Sequence, residues 1–275
     1  TDARALANLM VGRDTIAVSR NTEHEVDEQV LFAVKGLSLS NKRGIKVLKN
    51  LSFNIHGSEI VGIAGVAGNG QTELLEVLNG LKRPNTGEAI LDNQKLSFAD
   101  SQLYNSLKIG RIPEDRHKAT IADLTVAENL VLEHIEDFSK AGHLSNKAIK
   151  QYAQKLIKDF QIKAKANDKA RTLSGGNLQK LILARTLARE PRLIIVAQPT
   201  RGVDVGASEY VHQKLLEQKR NGAAILLISD DLDEVMRLSD RILVIYEGEF
   251  MAEFKAEDAS REVLGLLMAG QKDVA

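Results

Sequence analysis

The run Glu59-Ile60-Val61-Gly62-Ile63-Ala64 leads straight into Gly65-Val66-Ala67-Gly68-Asn69-Gly70-Gln71-Thr72. A short apolar run before a glycine-rich loop reads as a buried parallel strand. Thr72 to Leu78 reads as the helix that follows. Strand, glycine loop and helix in that order make an anion cradle, because loop and helix N–H groups face one point. The loop has the phosphate-binding frame G-x-x-x-x-G-K-[ST] with one departure: Gln71 stands where the lysine belongs. Glutamine keeps length and hydrogen bonding but loses the charge that lysine offers to phosphate. Gly65, Gly68, Asn69 and Gly70 keep the backbone, and Thr72 keeps a hydroxyl for magnesium. A plain strand-to-helix glycine turn is the competing reading of this loop taken alone.

Composition narrows what such a fold can serve. The 275 residues suit one two-part domain or two small ones, and 43% are hydrophobic, enough for a core. Lys+Arg and Asp+Glu number 37 each, a balance that argues against a nucleic-acid binder. With no cysteine, disulfides and Cys-based metal sites are excluded, and a reducing cytosol is compatible. No apolar run approaches the length of a membrane span. The chain starts at Thr1 without a signal-peptide pattern. Residues 1–28 read as a linker, with a short amphipathic turn around Ala5, Leu6, Leu9 and Met10; such a linker leads one to expect a further domain ahead of it.

Leu31 to Leu39 and Lys46 to Ile55 read as strands joined at Asn41-Lys42-Arg43-Gly44. Glu88 to Asn93 and Lys108 to Ile112 add a strand and turn and a further strand. From Thr125 to about Phe160 the pattern turns helical, with Ile149, Tyr152, Ala153, Leu156, Ile157 and Phe160 at three-four spacing. Leu193 to Ala197, Ala224 to Ser229 and Arg241 to Tyr246 are buried strands, and Glu247-Gly248 turns into Glu249 to Phe254. Strands alternating with helices predict a mainly parallel sheet, hence an α/β fold.

Two more segments carry chemistry. In Leu173-Ser174-Gly175-Gly176-Asn177-Leu178-Gln179-Lys180, Ser174 and two glycines precede a helix expected from Asn177 to Arg189. Free N–H groups and the positive end of that helix face an anion there. Ile228-Ser229-Asp230-Asp231-Leu232 ends a buried strand, and Asp230 reads most simply as the cap of a helix starting near Leu232.

Together these segments resemble the ATP-binding cassette (ABC) domain over about Leu31 to Gly270. The resemblance is closest to the second, C-terminal cassette of tandem ATPase subunits of bacterial simple-sugar and nucleoside importers. Met10-Val11-Gly12-Arg13 resembles the junction after a first cassette. Ile112-Pro113-Glu114-Asp115-Arg116-His117-Lys118 takes the place of the usual glutamine loop. Ala197-Gln198-Pro199-Thr200-Arg201-Gly202-Val203-Asp204-Val205-Gly206-Ala207 resembles the nucleoside-importer branch. The resemblance implies a RecA-like core, a small antiparallel β subdomain and an inserted helical subdomain at about 113–172, within a nucleotide-binding domain spanning 29–275.

What the resemblance implies about roles is mixed. Ser174, Gly175, Gly176 and Asn177 match the family signature, which closes on ATP held by the opposite cassette. The Walker B carboxylates are replaced by Ala197 and Gln198, and the switch histidine by Asp230. Its own site, formed by Gly65, Gly68, Asn69, Gly70, Gln71 and Thr72, is therefore expected to be degenerate, with Thr72 a weak magnesium ligand at most. No adenine-stacking aromatic stands near Arg43. Glu114, Asp115 and Arg116 are expected to sense permease movement, and Asp204 to communicate across the dimer. As a plain charge run, Glu114 to Arg116 reads as a solvated cluster. The implied cofactors are ATP and Mg2+, mainly on the partner cassette. The implied partners are a first cassette and integral-membrane permease subunits, at the cytoplasmic face of the bacterial inner membrane. A slow but genuine ATPase and a non-transport regulatory cassette are the rival readings.

Overall fold

The strands follow from where the chain places its branched and apolar residues. The computed structural model describes residues 26–140 and 142–271. The Met10–Arg13 junction and the helical turn before it lie outside the described residues, as does most of the expected linker. The described residues divide into two units: one contains Ile112–Glu190 and Pro199–Val211, and the other contains residues 26–111, Pro191–Gln198 and residues 212–271.

In the second unit, β1 (Val30–Ser40), β2 (Lys46–His56), β4 (Thr86–Leu91) and β5 (Gln94–Lys95) form an antiparallel sheet in the order β2-β1-β4-β5. Phe32 pairs with Ile55 on one side and Leu91 on the other. Its ring meets Phe53 edge-on at 6.2 Å between centroids. The larger sheet runs β12-β11-β3-β10-β9-β6, built from β3 (Ile60–Ala64), β6 (Gly110–Ile112), β9 (Leu193–Ala197), β10 (Ala224–Ser229), β11 (Arg241–Tyr246) and β12 (Glu249–Lys255). Every residue of β3, β9 and β10 is buried. That is why they read as unbroken apolar runs rather than as alternation. Each fully buried Val, Leu or Ile contributes roughly 1.5–3 kcal/mol. Gly62 is required inside β3, because a Cβ there would run into Ser239 and Val235.

Helices α1 (Gln71–Leu78), α2 (Ser101–Ser106), α7 (Leu232–Leu238) and α8 (Arg261–Met268) belong to this unit. Leu264 and Leu267 of α8 pack with Val235, Ile242 and Val244. Two buried ionic groups fix the strand ends. Lys219, on α6 (Val205–Arg220), donates to Asp240 at 2.6 Å while the other Asp240 oxygen accepts from Ile60 N at 2.8 Å. Arg241 holds Glu59 at 2.6 Å and the Asn54 carbonyl at 2.7 Å.

The first unit is mainly helical. It holds α3 (Val126–Val131), a 3-10 segment Leu132–Phe138, α4 (Asn146–Asp159) and α5 (Gly175–Leu187). Thr125 and Glu128 form a reciprocal capping box at the start of α3. Ile149, Ala153 and Leu156 bury one face of α4 against Val126, Leu130 and Leu181. The continuous helical pattern expected from Thr125 to Phe160 is corrected here. Ser139–Lys140 and His143–Leu144 pair as a short hairpin, β7 and β8, between the helices. Gly142 turns it at φ 78°, a conformation that breaks any helix.

Asn129 is fully buried and ties the preceding loop to α3. Its Oδ1 accepts from Ile121 N at 2.9 Å, and its Nδ2 donates to the Ile121 and Thr125 carbonyls at 3.0 Å each. His134 is buried between Phe138 and Tyr152, and neither ring nitrogen has a hydrogen-bond partner. Burial first, then the Arg189 charge, hold its imidazole below the ordinary value, against the opposing pull of Asp137, Glu133 and Glu136.

Two predictions follow from these buried ionisable groups. Lys219→Met leaves the Asp240 carboxylate without its cation and should lower unfolding free energy by about 3 kcal/mol; a urea titration showing no loss would sink this account of the pair. The second concerns His134. Because its folded value is depressed, the unfolded chain binds a proton that the native state refuses as pH falls below about 6.5. Stability is therefore complete above that pH and declines on acidification toward the folded value. His134→Phe should flatten this part of the stability–pH curve, and parallel curves for the two proteins would contradict it.

Candidate functional site

The parallel strands deliver three loop starts together. Ala64 pairs with Ser229 and Ala197 with Ile228, so Gly65, Asp230 and Gln198 leave the same edge of the sheet. That carboxyl edge is where open α/β sheets place their sites.

The glycine loop is held by its own side chains. Gln71 is buried. Its Oε1 accepts from Asn69 N at 3.1 Å and its Nε2 donates to the Val66 carbonyl at 3.0 Å. Asn69 Nδ2 reaches the same carbonyl at 2.9 Å. A Cβ on Gly65 would stand 2.6 Å from Gln71 Nε2 and 2.8 Å from the Ile245 carbonyl, so only glycine admits the inward amide. Gly70 caps α1 at φ 107°, a left-handed geometry that glycine adopts without strain. The loop is also pinned to the β11–β12 hairpin. Glu247 N donates to Asn69 Oδ1 at 2.8 Å and Gly248 N to the Asn69 carbonyl at 2.9 Å. Thr72 is exposed at the first turn of α1.

At the end of β9, Ala197 is buried and Gln198 sits at φ 46°. Gln198 Oε1 accepts from Asp230 N at 3.2 Å and lies 3.5 Å from Ser229 Oγ. Its carbonyl-type oxygen therefore ties two strand exits together. Asp230 is exposed and is not the helix cap. Asp231 is the cap, accepting from Asp233 N at 2.9 Å and Glu234 N at 3.3 Å. The order Asp231-x-x-Glu234 carries the capping-box spacing, a signal that selects Asp231 over its neighbour.

Few oxygen or cationic side-chain donors stand at this edge. Ala197 offers no oxygen, Gln71 offers no cation, and the Gln198 oxygen already accepts hydrogen bonds. Thr72 leaves one hydroxyl for a metal. Among the described residues, no group of three or more His, Cys, Asp or Glu is arranged to hold a metal ion.

In the other unit, Ser174 precedes α5 with φ −65° and ψ 158°, and its side chain makes no capping bond to the helix. Ser174 Oγ instead accepts from Asn177 Nδ2 at 2.9 Å, which leaves the hydroxyl proton to donate elsewhere. Asn177 Oδ1 accepts from Lys163 N at 2.8 Å. The first N–H groups of α5, at Gly175 and Gly176, have no intrahelical acceptor by geometry. A helix opening with two glycines lets a large anion approach the backbone. Asp204 caps α6, its Oδ1 accepting from Ala207 N at 2.9 Å. Its Oδ2 lies 3.5 Å from where a Gly176 Cβ would be.

Glu114, Asp115 and Arg116 do not act as one cluster. Glu114 pairs with the Arg201 side chain. Against a desolvation effect that alone would raise it, the N–H groups of His117 and Lys118 hold the Asp115 carboxyl below its ordinary value. Arg116 donates to the backbone carbonyls of Arg201 and Gly202. Arg201, Gly202 and Arg185 were not legible as site residues, because their contacts join segments 66 to 87 positions apart.

The sequence and fold are similar to those of known proteins. The family model described as ABC transporter matches residues 48–201, more than half of the chain. The guanosine import ATP-binding protein NupO of Bacillus subtilis (strain 168) is 40% identical over 98% of this chain and 54% of its own length. The glucose import ATP-binding protein TsgD13 of Haloferax volcanii is 40% identical over 98% of this chain and 50% of its own length. The chain thus spans about half the length of these curated relatives. The dimeric structure of MJ0796, a bacterial ABC transporter cassette, superposes with a TM-score of 0.71 at 29% identity, covering 82% of this chain and 99% of that one. The expected α/β cassette fold, with its antiparallel β subdomain and helical part, is the observed one. The chain belongs to the ABC transporter family, as a cassette domain.

Proposed function

We propose that this cassette is the catalytically degenerate, C-terminal half of a tandem importer ATPase. It presents Ser174, Gly175, Gly176 and Asn177 to ATP bound on a first cassette and does not turn over ATP on its own glycine loop. It docks from the cytoplasmic face on integral-membrane permease subunits, and Glu114, Asp115, Arg116 and Asp204 take part in the coupling. The cargo is a nucleoside, with simple sugars second; relatives named for guanosine and glucose import support this class.

The observation that carries the reading is Gln71. A lysine at this position would offer a mobile cation to the phosphates. The glutamine is buried, and both ends of its amide are bonded to the loop backbone. Two backbone groups of the loop, Asn69 N and the Val66 carbonyl, thus have partners within the chain. At the signature, the Ser174 proton and the opening N–H groups of α5 await an acceptor. Gln198 weighs against a slow native ATPase, because an amide cannot take a proton from water and its oxygen already serves Asp230 N. Loss of a general base alone costs about 10²–10⁴ in rate.

Calorimetric titration of this chain with Mg-ATP, with phosphate release followed in the same sample, tests the reading. Weak or no binding without turnover is expected. Turnover at an ordinary cassette rate of roughly 1 s⁻¹ or more would falsify it. A second experiment addresses the donor role. When this chain is paired with a competent first cassette and the permease, Ser174→Ala should lower ATP turnover by about tenfold or more, the scale of one lost charge-stabilising donor. Unchanged turnover with a correctly folded variant removes the donor role.

A further inference from the structure

Arg116 stands where three segments meet, and the coupling role just described does not explain its geometry. Nη1 donates to the Arg201 carbonyl at 2.7 Å, and Nη2 to the Gly202 carbonyl at 2.9 Å. Both carbonyls belong to the loop that leads from Pro199 to the Asp204 cap of α6. The same guanidinium lies across the first residue of α5. A Cβ on Gly175 would stand 3.1 Å from Nη2, 3.3 Å from Nε and 3.4 Å from Cζ. At Gly202 a Cβ would stand 3.4 Å from Nη2. The guanidinium is thus wedged between a signature glycine and an exit-loop glycine. Nε is buried there with no hydrogen-bond partner. That desolvation is tolerated because the two charge-assisted carbonyl bonds offset it.

The segment that carries Arg116 is itself anchored. Asp115 Oδ1 accepts from His117 N at 3.0 Å, which sets a turn directly before and after Arg116. Thr120 Oγ1 donates to the Arg116 carbonyl at 3.2 Å. Arg185, on α5, donates to the Ala119 carbonyl at 2.9 Å. The signature helix therefore touches residues 116–119 at both its first residue and its third turn.

We propose that Arg116 is a positioning residue for the signature. It fixes the Ser174-Gly175-Gly176 turn against the exit loop, so that a displacement of residues 114–116 is passed to the signature N–H groups. The clamp stands on the contacts above. Its consequence for ATP turnover rests on the donor reading. A fork with two parallel donors is needed, because a lysine ammonium cannot hold both carbonyls in one geometry.

Hydrogen exchange on this chain tests the clamp without any partner. The amides to follow are Leu178, bonded to the Ser174 carbonyl; Val203, bonded to the Thr200 carbonyl; and Ala207, bonded to Asp204. In both Arg116→Ala and Arg116→Lys, these three should exchange about tenfold faster or more, the effect of one lost charge-assisted bond on a local opening. Asn129 and Ile149, in the packed helices, should exchange as in the parent and so report that the fold is intact. Unchanged exchange at the three amides overturns the clamp, and so does full rescue by lysine. In the assembly with a first cassette and permease, both variants should lower kcat for ATP with KM nearly unchanged, since positioning acts on the closed state. A loss carried by KM instead overturns the positioning role. If the parent chain supports no turnover in that assembly, the donor reading fails while the exchange result still decides the clamp.

Discussion

The parallel register of β3, β10 and β9 is the constraint on which the candidate site depends. Their side chains are apolar on both faces, so the three strands have no freedom to slip without exposing branched residues or burying loop polar groups. That register holds the exits at Gly65, Asp230 and Gln198 side by side whatever side chains they carry. A scaffold of this kind conserves the place of a site without conserving its chemistry. The sheet would keep this form with or without phosphate chemistry.

The substitutions at that edge make physical sense together. A carboxylate at Ala197, which is buried, needs a cation or a metal nearby to offset its desolvation. With Gln71 neutral and turned into the loop, that cation is missing, and a single acid there would be a buried unpaired charge. Gln71 and Gln198 solve the opposite problem. Backbone groups that an active loop would leave for a ligand need partners in its absence. The two amides bond Asn69 N, Asp230 N and the Val66 carbonyl. Neutral amides bridge the turns of the loop, and Asn69 links it to the β11–β12 hairpin.

The features legible in the sequence are those set by burial. Leu193–Ala197, Ala224–Ser229 and Arg241–Tyr246 announce themselves as apolar runs because both faces are covered. The face of α4 is visible in Ile149, Ala153 and Leu156 for the same reason. The hairpin at Ser139–Leu144 escaped, since strands of two residues have no period to detect and only Gly142 marks the break. The Thr125–Glu128 capping box marks the start of α3, where the sequence showed only the onset of a helical pattern. At the candidate site the glycines, Gln71, Ala197 and Gln198 were visible by position, but not what the two amides bond to. Those partners are backbone groups, which a sequence does not distinguish. Arg116 is the extreme case. As a residue type in a charged run it points to solvent, yet its partners are carbonyls 85 and 86 residues away.

Glycine at 175 and 202 then has a reason beyond backbone freedom. Gly202 needs its positive φ of 65°, but Gly175 does not lie in that region. At Gly175 the guanidinium packs tightly over the missing Cβ, and at Gly202 it lies at ordinary contact distance. A Cβ at 175 would stand 3.1 Å from Arg116 Nη2, so the guanidinium or the first turn of α5 would have to give by a few tenths of an ångström. The signature turn is thus defined from outside, by a cation on a distant segment, as much as by its own sequence. The cation also lies beside the positive end of the α5 dipole, an arrangement that disfavours the empty turn and favours an arriving anion. The same side chain that steadies the turn therefore biases it toward a negatively charged ligand. A lysine would supply that bias without the steadiness, and a glutamine would supply neither.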